Sequence, residues 1–259
     1  MSPRSPLIRW EPVVAFVADA SGILRVPEWL DLPWLVHGFT TAKAGDFTRG
    51  LADAAQTAKA IEASGMRVRT LRQVHSNLLV SVNGDEGSAC GAPDREADGL
   101  ITSHAGEVVD VRTADCVPIL LVDRRNLVAA AVHAGWRGTV AEIARHAVER
   151  ASAEFACRPE DLEAAIGPAI GRCCFEVGDE VAAQFDRSLI HSNAKPHVDL
   201  IEANRRQLIQ AGLRGERIRD SGVCTFCAPE GLHSFRRKGA ASGRMLAFAG
   251  IRECSQRGT

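Results

Sequence analysis

The sequence predicts one compact α+β domain, on three observations. Short apolar runs at Val108–Val111, Pro118–Val122 and Leu127–Val132 follow one another closely and are β-branched, as strands are. Thr139 to Ala156 sets Val140, Ile143, Ala144, Ala147, Val148 and Ala151 on one face, as an amphipathic helix does. No repeat, low-complexity segment or linker divides the 259 residues, a length one core can serve. The domain is therefore taken as 1–259, with 1–36 as an N-terminal edge-hairpin region.

The remaining elements follow in order. Val13–Val17 and Ile23–Val26 are short apolar runs among prolines and suit an edge hairpin. Leu51 to Ser64 is alanine-rich, with Leu51, Ala55, Ala58 and Ile61 at helical spacing, and Gly65 reads as its C-terminal cap. Leu78–Val82 reads as a strand ended by the turn pair Asn83-Gly84, and 84–96 as a surface loop rich in glycine and charge. Asp123–Asn126 turns between the last two central strands, whose lack of alternation predicts cover on both faces. Leu162–Ile166 is a strand closed by Gly167-Pro168-Ala169-Ile170-Gly171, and Val177–Phe185 a short helix. Asp199 and Glu202 form a capping-box pattern opening a helix through Ala211. Ile218–Val223 and Met245–Ile251 are the last strands.

A hydrophobic content of 46%, a charged content of 24% and a formal net charge of -1 are those of a globular chain. They give no electrostatic case for a nucleic-acid or membrane partner. Val13–Ala18 is too short and too closely bracketed by Glu11 and Asp19 for a signal peptide, and no run approaches the roughly 20 apolar residues of a membrane span. Eight cysteines in a chain of this length need not be a disulfide framework. A reducing cytoplasm, with thiols free or metal-bound, is the expected setting, and a monomer or weak dimer the expected state.

Three words carry chemistry: Gln73-Val74-His75, Ala114-Asp115-Cys116-Val117-Pro118 and His133-Ala134-Gly135-Trp136-Arg137-Gly138-Thr139. They supply two imidazoles and one thiolate at strand ends, where a scaffold presents side chains into a cleft. Three such ligands suit a zinc ion that keeps a fourth position open. The competing reading is two core histidines and a buried cysteine. Gln73, two residues from His75, shares its side of an extended segment and is a candidate substrate contact. Asp115 is a candidate to orient a ligand or move a proton, or else a turn aspartate. Arg137, and Arg237 and Arg244 in the glycine-flanked cluster His233–Arg244, are candidate anion contacts. Cys224-Thr225-Phe226-Cys227 has CxxC spacing but no second such pair, so it is taken as structural.

These words, in this order, resemble the YfiH-like laccase-domain family, the multicopper polyphenol-oxidase-type proteins also called purine nucleoside phosphorylases. The resemblance runs from about His37 to Ile251. It takes in His37-Gly38-Phe39-Thr40-Thr41, Gln73-Val74-His75-Ser76, Asp98-Gly99-Leu100-Ile101-Thr102, Ala114–Pro118 and His133–Gly138. It continues through Ile166-Gly167-Pro168, Cys173–Gly178, Cys224-Thr225, Ser234–Arg237 and Ser242–Met245. It implies a layered fold of mixed sheets flanked by helices, similar in outline to a cytotoxic-factor cysteine hydrolase. It implies zinc on the residues matching His75, Cys116 and His133. It also implies phosphorolysis of adenosine, inosine and methylthioadenosine, and deamination of adenosine. Where the family carries an arginine after His37-Gly38-Phe39, this chain has Ala42, with Lys43 beside it.

The expected function is thus a zinc-dependent purine nucleoside phosphorylase with adenosine deaminase activity, its partners a purine nucleoside and phosphate. A copper-dependent polyphenol oxidase is the first alternative, since His and Cys ligands bind copper tightly. A cell-wall-precursor hydrolase with Cys116 as nucleophile and His133 as base is the second. A non-catalytic docking module is the third, and the glycine-framed polar words argue against it.

Overall fold

Two six-stranded mixed sheets, stacked face to face with helices outside them, form the architecture of the computed structural model, which describes residues 16–48, 54–82, 95–228 and 231–253. The strands are β1 (Val17–Ala18), β2 (Ile23–Arg25), β3 (Leu35–Thr40), β4 (Arg67–Arg69), β5 (Leu79–Val82), β6 (Gly99–Thr102) and β7 (Glu107–Thr113). They continue as β8 (Val117–Asp123), β9 (Val128–Ala134), β10 (Glu163–Ile166), β11 (Ile190–Asn193), β12 (Lys195–Val198), β13 (Ile218–Asp220) and β14 (Met245–Ile251). The helices are α1 (Ala54–Ala60), α2 (Trp136–Val140), α3 (Ile143–Phe155), α4 (Asp179–Ala182), α5 (Leu200–Gln210) and α6 (Phe235–Lys238). One sheet runs β1-β2-β3-β14-β7-β4, the other β13-β10-β8-β9-β6-β5, and β11-β12 is a separate hairpin. The α+β class and the mixed layers expected from the sequence are what the chain adopts.

Strand periodicity explains the layering. Along β8 and β9, Val117, Ile119, Leu121, Ala130 and Val132 pack with Ile143, Ala147 and Val148 of α3 and Leu208 of α5. The alternate residues Leu120, Val122, Ala129 and Ala131 meet Phe39, Val109, Val111, Ala247 and Ala249 of the other sheet. Every residue of β8 and β9 is buried, as their unbroken apolar runs require. On the outer face of the first sheet, Val36, Val108 and Phe248 pack with Ala58 of α1 and Ile61 beyond it. The word His37-Gly38-Phe39 lies inside β3, and its histidine serves the core: His37 Nε2 accepts from the Val26 amide at 3.1 Å. Burial first, then the Arg25 charge, hold His37 down to about 4, so it stays neutral.

Several expected boundaries move. The N-terminal hairpin is present as β1 and β2 at a sheet edge, while its Val13–Ala15 part lies outside the described residues. Asn83-Gly84 and most of the 84–96 loop also lie outside them. The first helix ends at Ala60, and Gly65 is not its cap. Glu62 takes the left-handed position (φ 60°), with Ala63 N donating to Ala58 O and Glu62 N to Lys59 O, a Schellman closure. The expected 139–156 helix is two helices, broken at Glu142 (φ 59°). Asn77 Nδ2 donates to Ala141 O at 3.0 Å, taking the carbonyl an unbroken helix would have used. The Asp199 cap is as expected, its carboxylate accepting from the Glu202 amide at 2.9 Å.

Asp110, on β7, is a buried carboxyl, and its Oδ1 meets no hydrogen-bond donor among the described residues. Burial pushes it up to about 7, against the pull of Thr70 and Arg112. A carboxyl raised above its unfolded value near 4 is protonated in the fold while the unfolded chain releases its proton. Its contribution is therefore fully present below pH 4 and lost as pH rises toward 7, by at most about 1.4 kcal/mol per pH unit. Asp110→Asn should flatten that part of the curve and stabilise the chain at pH 8 relative to pH 5, measured by urea unfolding at both. An unchanged pH dependence would show that Asp110 does not titrate in this range.

Candidate active site

Two loops and the end of a strand deliver the metal-ligand candidates to one place. His75 lies four residues before β5, Cys116 immediately before β8, and His133 is the penultimate residue of β9. Their ligand atoms all lie within 4.8 Å of one another, and the two imidazole centroids are 4.9 Å apart, edge to face. Residues paired across β8 and β9 set this up, since Val117 opposes Ala134 and Pro118 opposes His133. Gly135 must be a glycine here. A Cβ on it would come within 2.9 Å of His75 Cδ2 and 3.2 Å of the Cys116 sulfur.

Backbone strain marks two of these positions. His75 (φ 60°) and Asp115 (φ 95°) hold left-handed conformations that non-glycine residues rarely adopt. Asp98, at the threshold of β6, compels the first. Its Oδ2 accepts from the amides of Val74 (3.2 Å) and Ser76 (2.6 Å) and from Ser76 Oγ (2.8 Å). Its Oδ1 accepts from the His75 amide (3.0 Å) and from His133 Nδ1 (2.8 Å). One buried carboxylate thus folds the His75 loop and orients the His133 ring, with Nδ1 on Asp98 and the other ring nitrogen offered to Cys116. Burial raises the Asp98 pKa, but His133 and the Ser76 donors outweigh it and hold it below the usual carboxylate value. The second strained residue, Asp115, accepts from Thr225 Oγ1 and from the Arg236 amide, both at 2.6 Å, while its carbonyl accepts from the Ile170 amide at 2.8 Å. These bonds tie two loops and the first turn of α6 to the residue before Cys116.

Electrostatics favour a charged site. Burial opposes ionisation of Cys116, yet His133 first and His75 next draw the thiol down to about 6. Burial likewise opposes a charged His133, and the Cys116 thiolate and Asp98 raise it to about 9. A thiolate beside two imidazoles is a donor set of the kind that binds zinc or copper. Beside them opens a cleft of about 550 Å³, lined by Thr48, Arg72, Gln73, Arg112, Phe175 and Phe235, with Arg236 and Arg244.

Of the candidate substrate contacts, Gln73 and Arg244 line this cleft, as does Asp115. Gln73 is not on an extended segment shared with His75. Its side chain clamps β7, with Nε2 donating to Arg112 O and Oε1 accepting from Arg112 N, both at 2.8 Å. Arg137 and Arg237 are not among the lining residues. The Arg137 guanidinium lies 4.2 Å from the Trp136 ring centroid, and Arg237 donates to Thr225 O. Ala42 and Lys43 are also outside the lining. Asp98, Arg112 and Phe175 had no local signal as site residues. The CxxC pair, expected to lack a partner pair, has one: Cys173 and Cys174 join Cys224 and Cys227.

Comparison with known proteins gives a consistent result. A purine nucleoside phosphorylase of Deinococcus radiodurans is 34% identical across 96% of this chain and 94% of its own length. An adenosine deaminase, RL5, from an unknown prokaryotic organism is 40% identical over 194 residues, 70% of this chain and 72% of its own. A purine nucleoside phosphorylase of Bacteroides thetaiotaomicron is 40% identical, the match spanning 59% of its length. The crystal structure of YlmD from Geobacillus stearothermophilus superposes with a TM-score of 0.81 at 31% identity, covering 93% of this chain and all of that one. Residues 42–252 match the family model described as multi-copper polyphenol oxidoreductase laccase, and the chain belongs to that family.

Proposed function

We propose that the chain is a zinc-dependent purine nucleoside phosphorylase acting on adenosine, inosine and methylthioadenosine, with adenosine deaminase activity. The observation that carries this is the convergence of His75, Cys116 and His133 beside a cleft that also bears arginines and aromatic rings. The relatives' names support an enzyme of nucleosides, and the donor set fits zinc. His75, Cys116 and His133 would hold the zinc ion, which would supply Lewis acidity beside the cleft.

The chain's own groups divide the remaining work. Phosphorolysis needs an anion site, and Arg112 and Arg244 line the cleft with guanidinium groups suited to phosphate. Phosphate attacks the sugar C1′, the bond to the base breaks with its electron pair leaving on nitrogen, and a proton goes to the base. Phe175 and Phe235 line the cleft as candidate stacking partners for a purine, each with a guanidinium, Arg236 and Arg244, already over its ring. Deamination forms a bond from water's oxygen to the ring carbon and breaks the bond to the exocyclic nitrogen, which leaves as ammonia, and it needs no phosphate. Asp98 acts as a positioning residue, through His75 and His133. The arginine candidates are therefore Arg112 and Arg244, with Arg137 and Arg237 outside the proposed contacts.

The test is to follow adenine, inosine and ribose 1-phosphate from adenosine with and without phosphate. Arg244→Ala should raise the KM for phosphate about tenfold and leave inosine formation nearly unchanged. Loss of both activities together would remove Arg244 from the phosphate site. His75→Ala should abolish both. The family's description favours copper-dependent phenol oxidation as a second reading. Metal analysis of protein prepared without added copper separates the two, since copper at one equivalent with phenol turnover would overturn the zinc assignment.

A further inference from the structure

Away from the cleft floor, the turn after β10 and the loop after β13 bring four cysteines together. The Sγ atoms of Cys173, Cys174, Cys224 and Cys227 all lie within 4.8 Å of one another. Cys227 is 3.3 Å from Cys174 and 3.6 Å from Cys173, far beyond a disulfide bond. Four sulfurs around a zinc ion at 2.3 Å would sit about 3.8 Å apart, within the spread seen here. Core packing does not explain the cluster, because Cys173 and Cys227 are exposed.

The backbone is arranged for thiolates. The Gly171 amide donates to Cys224 Sγ at 3.2 Å, and the Phe226 and Cys227 amides also point to that sulfur. Gly171 itself has no room for a side chain without crowding, since a Cβ would lie 3.3 Å from both Cys173 Sγ and Cys224 Cβ.

We propose that Cys173, Cys174, Cys224 and Cys227 form a second, structural metal site of four thiolates, of the class that takes zinc. Binding releases the protons of whichever thiols are not already ionised, and no electrons are transferred. The site would join one wall of the cleft to the loop that holds Asp115. Ile170 and Phe175 flank its first cysteine pair, and Thr225, which holds Asp115, lies inside its second. It differs from the His75–Cys116–His133 centre in donor set, and it stands whatever the cleft binds.

The test uses the full chain purified under reductant without added metal, with zinc counted per chain and cobalt substituted for spectra. Wild type should hold two equivalents. His75→Ala/His133→Ala should keep one, and its cobalt form should show the intense sulfur-to-metal charge-transfer bands of a tetrathiolate. Cys224→Ser/Cys227→Ser should lose that spectrum and keep the other equivalent. If this variant fails to fold, the double-histidine variant alone decides. The proposal is overturned if the double-histidine variant holds no metal while its thiols react freely, or if non-reducing mass measurement finds these cysteines paired as disulfides.

Discussion

Replacing Cys116 by alanine is expected to cost at least about a thousandfold in adenosine turnover, roughly 4 kcal/mol of transition-state stabilisation. It should also strip the cleft metal, because two imidazoles alone are a poor set for zinc. A Cys–His hydrolase would lose activity too, so the rate alone does not discriminate. Two further readings do. His75→Ala should be as damaging as Cys116→Ala, although a nucleophile paired with His133 would not need His75. Alkylation of Cys116 should be slowed by zinc and restored by a chelator. Equal alkylation with and without zinc, or full metal content in Cys116→Ala, would contradict the ligand role.

The second large effect is expected at Asp98, which touches no substrate. Asp98→Asn keeps the shape but replaces one acceptor oxygen by a donor nitrogen facing amide N–H groups or His133 Nδ1–H. The His75 loop, strained at φ 60°, would lose part of what holds it. Partners of this kind are usually worth 10- to 100-fold in metal affinity. The buried donors left unpaired should add about 1–3 kcal/mol of destabilisation. Metal-competition titration and urea unfolding measure the two losses separately. An unchanged metal affinity would show that Asp98 serves folding alone.

The central strands and the grouping of His75, Cys116 and His133 are legible because their signals are local. β8 and β9 bury both faces, so their apolar runs are unbroken; Cys116 precedes one and His133 lies in the other, while His75 stands before the half-buried β5. What escaped was decided at long range. The break at Glu142 follows from a bond donated by Asn77, and no glycine or proline marks it. β4 is Arg67–Arg69, where arginines mask a strand that pairs with β7 in parallel. The β11–β12 hairpin carries His191, Pro196 and His197 and shows no apolar alternation. Asp98 reaches Ser76 across 22 positions and His133 across 35, so no spacing rule connects them. Cys173-Cys174 meets the CxxC pair because the β10–β13 pairing and the Ala169–Cys224 bridge join their loops.

The decisive measurement is anomalous X-ray scattering at the zinc edge from crystals of the full chain grown without added metal. The expected result is a peak about 2.0–2.3 Å from the ring nitrogens of His75 and His133 and the Cys116 sulfur, on the cleft side. Ordered, reduced side chains at those three positions with no peak between them, in protein that turns over adenosine, would contradict a metal-dependent enzyme.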